Sequence, residues 1–348
     1  MKHLLDMPPS ALAAELAGMG EPAYRARQVA RWVWGEGATD FAAMTDLPRG
    51  LRERLARRLC VLSGRVAGRT DAADGTVKLL IAWGDRRHVE CVLIPQRRRA
   101  TACVSVQVGC AMGCAFCASG LGGLERNLTA GEIVEQVLHL RREAGGGEDA
   151  PARAVTHVVL MGMGEPLANY EAVVAAVRAI VDPKRLGLSA RRVTVSTVGF
   201  PRQIRRLARE DLPINLAISL HAPNDALRRR LVPAAGRATI AQIIAAAREF
   251  FQARKREVTL EYVLLDGVND SPACANELAQ LAARLRCNVN LIRFNPVPGV
   301  DFRPPPERRV RGFRDRLRAA GINVHIRASR GAAAEAACGQ LRRRQAGA

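Results

Sequence analysis

The stretch Gly109–Gly120, with the sequence GCAMGCAFCASG, decides the fold of this chain of 348 residues. It places Cys110, Cys114 and Cys117 at the spacing C-x3-C-x2-C. Three cysteines this close along a chain indicate a metal centre, because cysteine thiolates are the ligands of iron–sulfur clusters and of many zinc sites. A [4Fe–4S] cluster takes four ligands, so three cysteines leave one iron open to bind another molecule.

Two other interpretations of the three cysteines are weaker. A structural zinc site normally completes its tetrahedron with a second pair of Cys or His ligands about 12 to 20 residues on. The only nearby candidate here is His139. Packed structural cysteines rarely cluster so tightly between glycines. The stretch therefore favours an iron–sulfur cluster.

Composition indicates a globular protein of a reducing compartment. A hydrophobic fraction of 48% over 348 residues suffices for a full α/β core and a smaller accessory unit. Apolar runs such as Val158–Met161 and Leu260–Leu265 are shorter than the ~18 residues that span a bilayer. Nine cysteines without an export signal indicate reduced thiols. We therefore expect a soluble cytoplasmic protein with no membrane partner.

The net charge of +20 indicates a polyanionic partner rather than a free small molecule. The runs Arg97–Arg99, Arg228–Arg230 and Arg342–Arg344 contribute to it. One such run is usually a solvated face, but three runs on top of the overall excess favour nucleic acid.

The first part of the chain predicts two accessory units. Residues 1–60 are expected to form a helical RNA-binding module, with helices from Pro9, over Tyr24–Trp34 and over Leu47–Arg58. Residues 61–95 alternate apolar and polar residues around two Asp/Gly turns, which predicts a β-hairpin extension. Glu90 lies in its second strand, where a carboxylate is costly to bury. An outward-facing side chain explains Glu90 equally well.

Residues 96–348 predict an α/β domain in which strands and helices alternate. The expected strands are Ala102–Val108, Ala154–Met161, Arg192–Val198, Ile214–Leu220, Val258–Leu265 and Val289–Phe294. The expected helices are Thr129–Arg142, Tyr170–Val181, Pro201–Arg209, Ile240–Ala253, Pro272–Leu285 and Glu307–Ala319. Six βα units predict a parallel sheet with its helices outside.

The cysteine stretch, with Phe116 directly before its last cysteine, resembles the radical S-adenosylmethionine (SAM) superfamily. The resemblance implies a partial (βα)6 barrel, open on one side. It also implies a [4Fe–4S] cluster held by Cys110, Cys114 and Cys117, with SAM bound at the open iron and cleaved to a 5′-deoxyadenosyl radical. Active-site residues are then expected after the carboxyl ends of the strands.

Further motifs narrow the resemblance. Residues 162–166, GMGEP, resemble the superfamily's GGEP-type motif, which binds the methionine ammonium group of SAM. EPAYRARQ from Glu21, RNLTAGEIVEQV from Arg126 and AACGQL from Ala336 resemble the RlmN and Cfr family of RNA adenine methyltransferases over essentially the whole chain. The SAM contacts that this resemblance implies are Gly164, Glu165, Ser196, Ser219, Leu220, His221 and Asn295.

The resemblance implies a reaction through two further cysteines and Glu90. One SAM methylates Cys338, and a second yields the radical that takes a hydrogen atom from the S-methyl group. The methylene radical adds to adenine, and Glu90 removes the ring proton. Cys103 then attacks the sulfur of Cys338, which releases the methylated base and forms a disulfide.

The implied substrates are carbon 2 of an adenosine in 23S rRNA, methylated before ribosome assembly is complete, and of the adenosine next to the anticodon in tRNA. An electron donor such as flavodoxin is implied as well. A Cfr-type enzyme that methylates carbon 8 is an alternative within the family. A non-catalytic, metal-stabilised RNA-binding protein is an alternative of another class, against which the pair Cys103 and Cys338 argues.

Overall fold

The computed structural model describes residues 1–97, 99–144, 155–234, 238–328, 330–331 and 335–341. Within the arginine runs named above, Arg98 and Arg342–Arg344 lie outside the described residues. In the described part of the chain, no helix combines the length and the apolar character that a membrane crossing requires.

The described strands form one large sheet and two small ones. They are β1 (Lys2–His3), β2 (Leu59–Cys60), β3 (Gly64–Asp71), β4 (Val77–Trp83), β5 (His88–Gln96), β6 (Arg99–Cys103), β7 (Gln107–Gly109), β8 (Leu124–Asn127), β9 (His157–Leu160), β10 (Val193–Thr197), β11 (Asn215–Ser219), β12 (Val258–Leu264), β13 (Cys287–Arg293) and β14 (Val324–Arg327).

The described α-helices lie between these strands. They are α1 (Pro9–Ala17), α2 (Tyr24–Ala30), α3 (Arg49–Arg58), α4 (Ala130–Ala144), α5 (Tyr170–Val181), α6 (Pro201–Arg209), α7 (Asp225–Leu231), α8 (Ile240–Arg254), α9 (Pro272–Ala282) and α10 (Glu307–Ala319). Local sequence sets several of their starts. Thr239 and Gln242 form a capping box at α8, and Ser271 caps α9 just before Pro272.

The large sheet is curled into a partial barrel. Its ten strands follow the order β14-β13-β12-β11-β10-β9-β6-β5-β4-β3. β14 to β6 run parallel, and β5, β4 and β3 continue antiparallel. His325 and Arg327 of β14 line the same cavity as Thr101 and Cys103 of β6, although five strands separate β14 from β6. The predicted α/β barrel, open on one side, is confirmed.

The first predicted barrel strand, Ala102–Val108, is in fact two strands. β6 ends at Cys103, and β7 begins at Gln107 and pairs antiparallel with β8. Between them, the Val106 N–H donates to the carbonyl of Met163 at 2.8 Å, beyond the end of β9. The chain therefore leaves the large sheet after Cys103 and turns towards the cysteine stretch.

Three features differ from the sequence patterns. β14 extends the parallel sheet beyond the sixth predicted strand, and its exposed residues His325 and Ile326 hide the alternation that burial would produce. The expected hairpin is a three-stranded meander, because both turns connect strands. The run Arg228–Arg230 ends helix α7, and Arg228 is only 1% exposed, so this residue is not on a solvated face.

The N-terminal helical part is held to the barrel through α4. The buried Glu135 carboxylate accepts the Ser63 N–H at 2.8 Å and lies 3.1 Å from His3 Nε2. The Asp6 carboxylate accepts the Gly131 N–H at 2.6 Å. These contacts fix the start of α4, which immediately follows the cysteine stretch and β8.

Candidate active site

The cysteine stretch is a tight loop that its own backbone shapes. Gly109 has a φ of 77°, and a Cβ there would collide with the carbonyl of Gly123. The same Gly123 carbonyl accepts the Cys110 N–H at 3.0 Å, and the Cys114 carbonyl accepts the Cys117 N–H at 3.0 Å. The loop therefore presents three half-buried thiols on one short segment.

Burial raises the pKa of all three thiols, that of Cys110 to about 11. Thiolates in such surroundings need positive charge nearby. Arg228 supplies it, because its guanidinium opposes the rise in the pKa of Cys114. Its Nη1 is buried and has no hydrogen-bond partner among the described residues.

Arg228 is fixed in place by backbone carbonyls at the ends of two strands. Its Nε donates to the Leu220 carbonyl at 3.1 Å, and its Nη2 donates to the Val198 carbonyl. Three thiols beside a buried guanidinium with a spare N–H fit an anionic iron–sulfur cluster. Among the described residues, no three His, Cys, Asp or Glu side chains are arranged to hold one metal ion. A cluster needs no such arrangement, because each cysteine binds a different iron.

A first cavity, cavity 1, lies between the cysteine loop and the carboxyl ends of the strands. Its lining includes Cys110, Cys114, Cys117, Gly164, Glu165, Ser196, Ser219, His221 and Cys338. It therefore brings the three predicted cluster ligands together with five of the seven predicted SAM contacts. Leu220 and Asn295 are not in this lining.

Glu165 of the GMGEP motif is buried and bonded on both carboxylate oxygens. Oε1 accepts the Leu167 N–H at 2.9 Å, and Oε2 accepts the Val198 N–H at 2.8 Å. Burial raises the pKa of Glu165 to about 7, against these hydrogen bonds. A carboxylate has about four acceptor sites, so Glu165 can still accept from an ammonium group in cavity 1. Gly164, with a φ of 100°, is needed for the close approach of Gln107.

The polar residues at the carboxyl ends of β10 and β11 lie side by side in the wall of cavity 1. Ser196 Oγ and Ser219 Oγ lie 3.2 Å apart. His221 Nδ1 accepts the Val263 N–H at 3.1 Å, and burial lowers the pKa of His221 to about 3. The ring is therefore neutral, with its proton on Nε2, which leaves Nε2 as a hydrogen-bond donor. Phe116 packs edge-on against this ring at 4.8 Å between centroids.

The other two predicted SAM contacts occupy supporting positions. Leu220 is fully buried, and its N–H donates to the Glu261 carbonyl at 3.0 Å. Asn295 Nδ2 donates to the Cys338 carbonyl at 3.2 Å. In this structure Asn295 therefore holds the segment that carries Cys338.

The C-terminal segment 335–341 carries the exposed Cys338. Its Gly339 carbonyl accepts the Ala118 N–H at 2.8 Å, and its Leu341 carbonyl accepts the Ser119 hydroxyl at 2.6 Å. These bonds tie the segment directly to the end of the cysteine loop. Cys338 thus lines the same cavity as the three predicted cluster cysteines, and its role as methyl carrier stays a prediction.

A second cavity, cavity 2, adjoins cavity 1, shares Cys117 and Cys338 with its lining, and has a volume of about 390 Å³. Its lining includes Gln96, Arg99, Thr101, Cys103, Thr194, Thr259, Glu261, Asn290, Asn295, His325, Arg327, Arg330 and Cys338. The two predicted reaction cysteines therefore share one cavity. Burial, together with the neighbouring Cys338, raises the pKa of Cys103 to about 12, and Arg327 opposes this rise.

Glu90 is 2% exposed and forms an ion pair of 2.9 Å with the buried Lys78. It lines neither cavity 1 nor cavity 2. Cys103 pairs with Val92 across β5 and β6, so Glu90, two residues away, lies on the same face of the sheet as Cys103. The alternative of an outward-facing Glu90 is wrong, because the side chain is buried.

The sequence patterns missed two charged residues at the centre of the site. Glu261 and Arg327 line both cavities, and Arg327 Nη1 lies 3.9 Å from Glu261 Oε2. Burial raises the pKa of Glu261, whose Oε1 accepts from Asn290 Nδ2 at 3.0 Å. A carboxylate inside the apolar run Val258–Leu264 was the available signal for Glu261. No comparable pattern marked Arg327.

Two family models match the chain. The radical SAM superfamily model matches residues 104–275. The model of the ribosomal RNA large subunit methyltransferase N-terminal domain matches residues 2–61.

Similar proteins cover nearly the whole chain. A protein of Rhodopirellula baltica, named probable dual-specificity RNA methyltransferase RlmN, is 44% identical over 98% of this chain and 91% of its own length. A protein of Moorella thermoacetica with the same name is 48% identical over 93% of this chain and 92% of its own. The crystal structure of a radical SAM methyltransferase from Sphaerobacter thermophilus has a TM-score of 0.94 at 48% identity, over 98% of this chain and 99% of that one.

Proposed function

The chain belongs to the RlmN family of radical SAM RNA methyltransferases, and we propose that it methylates carbon 2 of adenosine 2503 in 23S rRNA and of adenosine 37 in tRNAs. The observation that carries the proposal is the position of Cys338, which lines both cavity 1, with the cysteine loop, and cavity 2, with Cys103. A metal-stabilised RNA-binding protein that catalyses no reaction has no need of the cysteine pair Cys103 and Cys338.

Members of the family use a [4Fe–4S] cluster and SAM. Cys110, Cys114 and Cys117 would hold the cluster, and Glu165, Ser196, Ser219 and His221 would bind SAM in cavity 1. The bound cofactors supply a methyl group and a radical that activates it, which this substrate requires because carbon 2 of adenine is electron-poor. The remaining chemistry belongs to the chain's own side chains.

Cys338 Sγ carries the methyl group and afterwards links the protein to carbon 2 through a methylene. Cys103 acts as the resolving thiolate, and its Sγ attacks Cys338 Sγ. The bond between Cys338 Sγ and the methylene breaks, and its electron pair goes to the methylene carbon, which takes up a proton. The products are methylated adenine and a disulfide between Cys103 and Cys338, which a thiol must reduce before the next turnover.

Glu90 is the proposed base for the ring proton of adenine. Glu90 lies on the same sheet face as Cys103, so an adenine bound near Cys103 would lie on the face of the sheet from which Glu90 projects. Its carboxylate is paired with the buried Lys78 at 2.9 Å.

The relatives' names favour carbon 2 over the carbon 8 chemistry of a Cfr-type enzyme, because they are named RlmN. The proposed partners are 23S rRNA before ribosome assembly is complete, tRNA, and an electron donor such as flavodoxin. With these substrates and free thiols, the proposed location is the cytoplasm.

The two reaction cysteines provide the test, because their alanine variants should fail differently. With SAM, reductant and an RNA substrate, Cys338→Ala should yield neither methylated protein nor methylated RNA. Cys103→Ala should load the methyl group and accumulate a covalent protein–RNA adduct, visible as a shifted band on a denaturing gel.

The double variant Cys103→Ala/Cys338→Ala is the control, and the band should vanish there. Normal turnover by Cys103→Ala, or the same adduct from Cys338→Ala, would show that the roles of the two cysteines are wrongly assigned. Mass spectrometry of the product should place the methyl group on carbon 2.

A further inference from the structure

The cysteine loop has a second side, which faces solvent. Met112 and Phe116 of the loop are buried and belong to one apolar cluster with Leu231. The small residues beside them are exposed, and two exposed leucines follow. This side is named the outer face, and its residues are Ala111, Gly113, Ala115, Leu121 and Leu124.

The two leucines make the outer face unusual for this protein. Leu121 is 59% exposed and Leu124 is 42% exposed. Among the described residues six large apolar side chains are exposed, and only this pair lies within four residues. Exposed apolar residues that lie close together indicate a contact surface.

The outer face also carries no charge, in a chain in which 25% of the residues are charged. Residues 100–124 contain no Asp, Glu, Lys or Arg. Cys110 and Cys114 each directly adjoin an exposed Ala or Gly of the outer face. A partner on this face therefore comes as close to two predicted cluster ligands as the smallest side chains allow.

One flank of the outer face is the end of helix α7. The Ala115 N–H donates to the Leu231 carbonyl at 2.9 Å, so the last turn of α7 lies against the loop. Arg229 and Arg230 in that turn are exposed. In the described part of the chain, neither of them forms a salt bridge with a carboxylate. Helix α7 therefore brings two free positive charges to this flank.

The other flank is the turn between β4 and β5. Arg87 in this turn pairs with Glu125, which follows Leu124, at 2.5 Å. Arg86 is exposed, and no carboxylate of the described residues forms a salt bridge with it. The outer face is thus an uncharged centre with free arginines on two sides. An apolar centre inside a charged rim is typical of a protein interface, and the sign of this rim suits an acidic partner.

We propose that the outer face is the docking site of an acidic one-electron carrier protein, a proposal that rests on the proposed function. That function consumes one electron from outside the chain for each radical. The carrier is oxidised by one electron and the cluster is reduced by one electron, and no atom is transferred. Electron transfer slows steeply with distance, so a carrier must reach the cluster ligands closely.

The outer face is the accessible approach to the cysteines. SAM occupies the other side of the loop, in cavity 1, during the proposed reaction. At the end of the loop, Ala118 and Ser119 are bonded to the C-terminal segment. RNA is a poorer occupant, because its backbone binds positive charge and gains little from an apolar centre. A centre of five residues suits the small interfaces of transient electron-transfer complexes, under about 1,200 Å².

The first experiment places a negative charge on the outer face. The holoenzyme of Leu121→Glu should keep its iron, and a small neutral reductant, photoreduced 5-deazariboflavin, should reduce its cluster at the wild-type rate. Reduction by an acidic flavodoxin in its reduced form should slow by about tenfold, because the new charge repels the carrier and the apolar contact is lost. Stopped-flow bleaching of the cluster absorbance measures both rates.

The matched control is Val66→Glu, which adds the same charge at an exposed apolar residue of strand β3. It should be reduced by flavodoxin as fast as wild type, and its affinity for RNA should equal that of Leu121→Glu. Leu124→Glu replaces Leu121→Glu if that variant loses its iron.

Three results would contradict the proposal. Reduction of Leu121→Glu by flavodoxin at the wild-type rate would overturn the docking site. Weaker RNA binding by Leu121→Glu than by Val66→Glu would assign the outer face to RNA. Failure of flavodoxin to reduce the wild-type cluster would overturn the class of partner. Failure of the reduced wild-type enzyme to methylate RNA would instead refute the proposed function, on which the rates of cluster reduction do not depend.

The second experiment tests the flanking arginines. Arg86→Gln and Arg230→Gln should each slow reduction by flavodoxin by about threefold at low ionic strength, because the free arginines steer the acidic carrier. The difference from wild type should vanish at 1 M salt, where the Debye length is about 3 Å. Arg202→Gln removes the same charge from an exposed position of α6 and should react as wild type. An equal loss of rate in Arg202→Gln would show that only the net charge acts.

Discussion

The reactivity of Cys103 depends on its charged neighbour. Burial raises the pKa of this thiol to about 12, so only roughly one part in 10⁵ is thiolate at pH 7. The thiolate is the form that attacks a sulfur. Arg327 lowers the pKa of Cys103, and Arg327 in turn lies 3.9 Å from Glu261. The pair Arg327 and Glu261 therefore positions a positive charge beside the resolving thiol.

Removal of that charge should slow the reaction of Cys103 with electrophiles. Arg327→Met should raise the pKa of Cys103 and reduce its alkylation by iodoacetamide by about tenfold at a given pH, as expected for one pKa unit. Arg327→Lys keeps the charge and should stay close to wild type. The rates can be followed by peptide mass spectrometry between pH 7 and 10. Equal rates in the Met variant and the wild type would refute a role of Arg327 at this thiol.

At the scale of single residues, the sequence predicted the positions that a motif marks and missed those that only the fold creates. Cys110, Cys114 and Cys117 follow from their spacing. Glu261 and Arg327 come from strands β12 and β14, which the order of the sheet places on either side of β13. No local pattern contains this contact.

At the scale of elements, the long parallel strands and helices were predictable because burial imposes a regular period on them. β14 was missed because it has four residues at a sheet edge, two of them exposed. The split of the first barrel strand after Cys103 was missed because Ala102–Val108 is buried on both sides of the split, so its pattern does not change there.

The meander also supports the segment that carries Cys338. Lys78 of β4 pairs with Glu90 of β5 at 2.9 Å, and Lys78 Nζ donates to the Glu335 carbonyl at 3.1 Å. Lys78 and Glu90 are both nearly fully buried. A buried charge that loses its partner is costly, whereas removal of both charges is much less so.

Lys78→Met should therefore lower the free energy of unfolding by about 3–5 kcal/mol. The double variant Lys78→Met/Glu90→Gln should recover most of that loss, because it leaves no uncompensated charge at the pair. Urea unfolding monitored by circular dichroism measures both values. A double variant as unstable as Lys78→Met would show that the ion pair is not the source of the effect.

At the scale of the whole molecule, the division into residues 1–60, 61–95 and 96–348 stays a prediction. The structure adds how the N-terminal helical part is attached to the barrel. The first part is attached by the contacts of His3 and Asp6 with α4. The sequence could not indicate these contacts, because Asp6 and its partner Gly131 are more than 120 residues apart along the chain. His3 lies 3.6 Å from Asp6 and 3.1 Å from Glu135, and His139 contacts Glu135 from the next turn of α4.

The attachment should make stability depend on pH in a defined window. Hydrogen bonds and charges from Asp6 and Glu135 outweigh burial and raise the pKa of His3 from 6.5 to about 9. Because its pKa is raised, protonated His3 stabilises the folded state fully below pH 6.5. This contribution is lost as the pH rises towards 9. The difference of 2.5 pKa units corresponds to about 3 kcal/mol. Against its burial, hydrogen bonds from His139, His3 and Ser63 lower the pKa of Glu135 to about 2, which adds a loss of stability only in acid.

We therefore expect the free energy of unfolding to fall by up to about 3 kcal/mol between pH 6.5 and pH 9, and His3→Gln to abolish most of this dependence. His88→Gln is the matched control, since His88 lies at the start of β5 and pairs with Ala82 of β4, and it should leave the dependence as in wild type. Denaturant unfolding at half-unit pH intervals measures the curve. If His3→Gln keeps the wild-type curve, the protonated imidazole does not hold the N-terminal part to the barrel, and the attachment must rest on the apolar contacts of Leu4 and Leu5 with the core.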